Sequence, residues 1–198
     1  RDSCLLGLCL QTSYLEEHIV HKLRTWGLDW LISEPYYVLS AAVKAFASEL
    51  DEMEEEILSF ATGNIAEELL QAFPPSVIFK NSKKYWIILT PLEDIRPLLD
   101  SLVKEVKTYQ KEELAIGVSE RMNSFQSLHL AYCQAVDSLR AALLGSDQSP
   151  VFYEQMKDHA HHRSQDLTSL MADAIEAKND SAIREAAESF VRNTALKG

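Results

Sequence analysis

Apolar positions recur along this chain at two spacings, and the switches between them divide it into elements. In "SCLLGLCLQTSYLEEHIVHKLRTWGL" the residues Leu15, Ile19, Leu23 and Trp26 keep the three-to-four spacing of one helical face. That predicts two helical pieces, the second stopped by Gly27. After Pro35 the apolar run is nearly unbroken, which predicts a buried strand over 36–42. "ASELDEMEEEILSFATGNIAEELLQAF" returns to helical spacing. Met53, Ile57, Phe60, Ile65, Leu69 and Phe73 mark an apolar stripe, with acids on the other face and Gly63 as the expected site of a bend.

"PPSVIFKNSKKYWIILTP" then reads as a hairpin, with strands 77–79 and 85–89 around the polar turn "KNSKK". An amphipathic helix follows Pro91, with Pro97 near its start. "LAIGVS" is a further strand. "SFQSLHLAYCQAVDSLRAALL" is a helix with Ser124 as N-cap and Gly145 as its stop. "SPVFYEQM" closes the strand series, and "QDLTSLMADAIEAKNDSAIREAAESFVRN" reads as a helical pair broken at "KND". A hairpin inside an otherwise alternating order predicts an α/β (α+β) fold: a mixed sheet with helices packed on it.

Charge narrows the classes of function. The 198 residues carry 19 Lys and Arg against 30 Asp and Glu, a net charge of −11. Phosphate binding draws on clustered cations, so a dominant nucleic-acid surface is excluded, and an anionic membrane surface is disfavoured in the same way. Cys4, Cys9 and Cys133 are odd in number and form no CxxC pair, which fits free thiols in a reducing compartment, the cytoplasm. The run "CLLGLCL" is too short to span a bilayer and reads as the buried face of a first helix. The chain opens on Arg1, so it is expected to be a piece of a longer protein.

No chemical motif is complete. Gly117 reads as a strand-to-helix turn residue, because the lysine and glycines of a phosphate-binding loop are missing around it. His159, His161 and His162, with Asp158 and Asp166 nearby, have ligand chemistry but the composition of an exposed linker. His18 and His21 share a helix face, yet two residues close no metal site. The acid run from Glu49 to Ile57 is a solvated face rather than an acid–base pair. Ser119 and Ser124 have neither a suitably spaced histidine nor an oxyanion motif. Trp26, Trp30, Tyr36, Tyr37, Tyr85 and Trp86 are packing residues first, with a pocket between the N-terminal helices and the sheet as the alternative.

"LAIGVSERMNSFQSLHLAYCQAVDSLRAALLG" followed by "SPVFYEQM" resembles the middle region of bacterial AraC-type response regulators. There a strand ending in G-x-S or G-x-G leads into a helix of the form S-Y-x-E-A-x-x-A-L. Here Tyr132, Ala135 and Leu139 match, while Ala131 and Gln134 depart. "FATGNIAEELL" and the tail also look like that family, so the resemblance covers nearly the whole chain. It implies a degenerate GGDEF-like (diguanylate cyclase) core over 35–157, an N-terminal helical segment over 1–34, and a C-terminal helical segment over 158–198 leading to a DNA-binding domain.

A working cyclase gathers two glycines and acids at the central hairpin and Mg²⁺-holding aspartates on the first strand. The corresponding "KNSKK" has no glycine and no acid, and "YVLSAAVKAF" has no aspartate. The resemblance therefore implies no catalytic, cofactor-binding or metal residues. It implies a non-catalytic linker between a receiver and a helix-turn-helix domain, working as a homodimer and touching DNA only through that domain. The surfaces expected to dimerise or relay are Leu5, Leu6, Leu8, Leu15, Ile19 and Leu23 at the start, and Leu167, Leu170, Met171, Ile175, Ile183 and Phe190 in the tail. A small-molecule sensor on the same degenerate fold is the alternative.

Overall fold

The computed structural model describes residues 1–11, 17–44, 52–81, 85–145 and 149–157. Arg1–Glu154 forms one compact unit, separate from Gln155–Gly198. The first unit opens with α1 (Asp2–Leu10), α2 (Glu17–Thr25) and a single helical turn, α3 (Trp30–Ser33). Gly27 ends α2 because it adopts a φ of 68°, which glycine reaches without strain. The Leu28 N–H then bonds the Leu23 carbonyl (2.8 Å) and the Gly27 N–H bonds the Arg24 carbonyl (3.0 Å), satisfying the last free carbonyls of the helix.

Strand β1 (Tyr37–Val43) leads to α4 (Glu52–Leu70), the hairpin β2 (Val77–Lys80) and β3 (Trp86–Thr90), and α5 (Arg96–Gln110). Then come β4 (Leu114–Val118), a 3₁₀ turn at Phe125–Ser127, α6 (Leu128–Leu144) and β5 (Val151–Phe152), the last much shorter than the expected strand. Ser124 caps the 3₁₀ turn that feeds α6, and Gly145 is the residue at which α6 stops. The five strands form one sheet in the order β2-β3-β1-β4-β5, antiparallel except for the β4–β5 pair. The mixed α/β sheet is the one expected from the element order.

Helices cover both faces, so the strands are apolar on both sides and read as unbroken runs. Leu39, Ala41, Val43, Ile78, Ile88, Ile116 and Val118 meet α4 and α5 through Leu70, Leu98, Leu102 and Val106. On the other face Val38, Phe79, Ile87 and Leu89 meet α1, α2, α3 and α6 through Leu5, Leu8, Leu23, Leu31, Leu128 and Ala131. Between these, Ala42 and Ala115 touch Leu139 and Ala142.

Two expectations from the spacing change in the fold. Gly117 is not a turn residue: it lies inside β4, paired with Ser40 of β1. A Cβ there would fall on the backbone of α6, onto the Ala135 carbonyl oxygen and the Leu139 nitrogen. Gly63 lies inside α4, which runs unbroken from Glu52 to Leu70. The apolar stripe of α4 divides: Ile65, Leu69 and Phe73 pack on the core, whereas Met53, Ile57 and Phe60 stand in solvent.

Replacing Gly117 by alanine forces β4 and α6 apart, since backbone cannot step aside as a side chain can. The expected cost is about 1–3 kcal/mol, the range for overpacking a filled core. Urea unfolding reads it as a lower midpoint at unchanged slope. A wild-type midpoint would show that helix and strand do not meet at this distance.

Candidate functional site

The hairpin end of the sheet, where the resemblance would put a cyclase's chemistry, is set by register. Ala41 near the end of β1 pairs with Trp86 at the start of β3, and Lys80 at the end of β2 pairs with Trp86 from the other side. The tip, Ser82–Lys84, lies outside the described residues. The flanks bring together a cation and an aromatic ring, with the Lys80 ammonium 5.5 Å from the Trp86 ring centre. The Trp86 indole N–H donates to the Ser59 carbonyl of α4 (2.9 Å), and its ring occupies the space that a side chain at Gly63 would take. Glycine at position 63 thus admits a tryptophan against the helix. Beyond β1, Lys44 pairs with Glu113 (3.4 Å), an ion pair with an exposed carboxylate that contributes little.

A second polar cluster ties the N-terminal helices to α6. The imidazole Nδ1 of His129 lies 2.8 Å from the carbonyl oxygen of Cys9, in the last turn of α1. A carbonyl only accepts, so Nδ1 carries the proton, and in the neutral ring Nε2 is left to accept from the Cys133 thiol 3.7 Å away. Burial pushes the Cys9 thiol up to about 12, with Cys133 adding to the shift. Burial likewise raises Cys133 and Tyr36 above their ordinary values. A raised thiol holds less thiolate, so neither Cys9 nor Cys133 is activated as a nucleophile by its surroundings. Beside them Asn81 donates to the Tyr132 hydroxyl (3.1 Å) and accepts from the Tyr85 N–H (2.9 Å), so the hairpin is fastened to α6.

The loop from β4 to α6 is held the same way. Gln134 accepts from the Glu120 N–H (3.0 Å) and donates to the Glu120 carboxylate (2.8 Å). This is the position at which the chain departs from the glutamate of the motif it resembles. A carboxylate there would face another carboxylate. Ser119 accepts from the Val38 N–H (2.9 Å), and the Ser124 carbonyl accepts from the Tyr36 hydroxyl (2.9 Å), so both serines stitch this loop to β1.

The expected relay surface falls in two places. Leu5, Leu8 and Leu23 are buried in the chain's own core, with Leu6 and Ile19 packed partly buried against it. These side chains cover the sheet and α6. Leu15, Leu167, Leu170, Met171, Ile175, Ile183 and Phe190 lie outside the described residues, as do His159, His161 and His162. Trp30 and Tyr36 are buried in the core cluster that the N-terminal helices share with the sheet. Among the described residues no group of three or more His, Cys, Asp and Glu is placed to hold a metal, and no helix is long and apolar enough to cross a membrane. The His129–Cys133 spacing of i, i+4 on a predicted helix was visible in the sequence. Cys9 joins them only through tertiary packing.

The family model described as a GGDEF-like domain matches residues 12–141, from ahead of α2 to the last turn of α6. The chain belongs to this GGDEF-like family. No curated protein matches it.

Two outcomes follow from these contacts. Gly63→Ala gains about 1 kcal/mol of helix propensity, but the new methyl meets the Trp86 ring, which its bond to Ser59 holds in place. The variant is expected to be less stable than wild type in urea, and the same change in a Trp86→Leu background to be stabilising. The same effect of Gly63→Ala in both backgrounds, a coupling of zero, would remove the ring from the helix. Stability is also expected to fall at alkaline pH. The Cys9 thiol is raised from 9.0 to about 12 in the folded chain, so its contribution is full below 9.0 and lost as pH rises through 9.0 towards about 12. Urea midpoints across that window should fall less steeply in Cys9→Ala, and an equal slope in both proteins would place the thiol in solvent.

Proposed function

We propose that this GGDEF-like domain is a non-catalytic regulatory linker of a bacterial two-component response regulator of AraC type, relaying signal between a receiver and a helix-turn-helix DNA-binding domain through dimerisation. The single observation that carries the loss of catalysis is the composition of the hairpin end of the sheet. Lys80 and Trp86 stand there, the turn has no glycine or acid, and β1 has no carboxylate. Mg²⁺ takes oxygen ligands, and phosphoryl transfer needs its charge beside the triphosphate. Lysines alone would bind phosphate without activating a nucleophile.

A relay needs two packings of the same elements, not new chemistry. The N-terminal helices are suited to this because they rest on α6 through Leu5, Leu8 and the His129 contact to the Cys9 carbonyl. A shift of α1 is thereby felt along the helix that spans the sheet. The receiver and the DNA-binding domain belong to the same full-length cytoplasmic chain in this reading, and DNA is touched only by the latter. The sensor reading draws on Trp30, whose indole N–H is buried without a hydrogen-bond partner between the N-terminal helices and the sheet. A thermal-shift screen with nucleotides and sugars tests it, because a ligand bound there raises the midpoint by mass action.

Incubation with GTP and Mg²⁺ followed by chromatography is expected to leave GTP unchanged, and any cyclic dinucleotide product would end the non-catalytic reading. The encoded sequence on either side is expected to hold a receiver before Arg1 and paired helix-turn-helix motifs after Gly198. Finding neither would leave a GGDEF-like domain without the transcriptional role.

A further inference from the structure

Helix α4 turns to solvent the side chains that its spacing reserves for a core. Met53, Ile57 and Phe60 are 71%, 61% and 66% exposed. At i, i+4 and i+7 they fall on one line and form a continuous ridge. The face that packs inward carries Ser59, Thr62, Gly63 and Ala66, joined by Ile65, Leu69 and Leu70 in its C-terminal part. The inward face already gets its close fit from small side chains and the Trp86 ring, so the ridge is not required to hold the helix. A row of large apolar side chains on a solvent-facing helix marks a contact surface.

Charge decides what covers it. Glu56 and Glu67 flank the ridge on one side and Glu68 on the other, all exposed. Residues 52–70 contain no lysine or arginine. Two copies packed ridge to ridge across a two-fold axis run antiparallel, so that the same flanks meet, or parallel, so that opposite flanks meet, and both flanks carry glutamates. Glu56 and Glu67 would then face glutamates. An anionic lipid surface is repelled for the same reason. A helix with an apolar stripe bordered by lysines or arginines fits both features at once.

We propose that the Met53–Ile57–Phe60 ridge of α4 is the docking site for a basic amphipathic helix of a partner protein. Its apolar stripe lies along the ridge, and its cations lie against Glu56, Glu67 and Glu68. The surface carries this by itself, so the inference holds whichever chain the domain is embedded in.

The probe is a fluorescein-labelled leucine–lysine amphipathic helical peptide, titrated with the protein and read by fluorescence anisotropy. Wild type is expected to bind it and to ignore the matching leucine–glutamate peptide. Ile57→Ser/Phe60→Ser leaves net charge unchanged and should weaken binding about tenfold or more, as loss of anchor residues does. Leu144→Ser removes a side chain that is 90% exposed on α6 and should bind as wild type does. Glu67→Gln/Glu68→Gln should weaken binding and flatten its salt dependence. Circular dichroism checks that each variant is folded. The proposal is overturned if wild type does not bind the leucine–lysine peptide, if it binds the leucine–glutamate peptide equally, or if the ridge variant binds as tightly as wild type. It is also overturned if sedimentation shows a wild-type dimer that the ridge variant dissolves, since a second copy would then be the occupant.

Discussion

The backbone of α6 lies directly against β4 at Gly117, where the space for a side chain is taken by the Ala135 carbonyl and the Leu139 amide. Much of the molecule follows from that approach. Small residues surround it, with Ser40 and Ala42 on β1, Ala115 on β4, and Ala131, Ser138 and Ala142 on α6, all buried. A helix seated this low leaves room beside it on the same sheet face for α1, α2 and α3, whose leucines complete that half of the core. The Ser138 hydroxyl reaches the Val118 carbonyl (3.4 Å), adding a polar contact across the same seam. Close packing at this density leaves little tolerance for one added methyl group.

On the other face the geometry is different. Helix α5 supplies a conventional apolar side through Leu98, Leu99, Leu102 and Val106. Helix α4 supplies Ser59, Thr62, Gly63 and Ala66 beside Ile65, Leu69 and Leu70, with Trp86 leaning over Gly63 and bonded to Ser59. Thr62 and Gln110 bond each other between the two helices (3.1 Å), so part of this seam is polar. Met53, Ile57 and Phe60 of α4 are left on the outside. The same tryptophan sits at the hairpin end of the sheet, so an architectural element occupies the region where a cyclase of this fold would do its chemistry.

Polar side chains in the first unit mostly fasten loops to neighbouring elements. Ser119 and Tyr36 tie the β4–α6 loop to the start of β1, Gln134 ties it to α6, and Asn81 ties the hairpin to Tyr132. His129 ties α1 to α6. Each satisfies groups that would otherwise be buried unpaired, which costs more than the bond itself returns. These side chains form a network of hydrogen bonds that holds shape.

Element order, the mixed sheet and the strand positions were legible in local spacing, because a strand covered on both faces is apolar throughout and a helix on a sheet repeats at three to four. Gly27 could be read as a helix stop for an equally local reason: the left-handed turn it adopts involves only the residues beside it. The missing cyclase acids were likewise a matter of residue identity. Spacing could not say which way α4 faces, since Met53, Ile57 and Phe60 obey the same period as a core stripe. That choice was made by Trp86, some two dozen residues further on, which the β-hairpin folds back onto Gly63. Gly117 was misread as a turn for a related reason. A glycine that ends a strand and one that admits a helix look alike in the sequence, and only the arrival of α6 distinguishes them. The Cys9–His129 contact joins positions 120 residues apart. Pairings of that range depend on how whole elements stack, and no local preference of the chain encodes them.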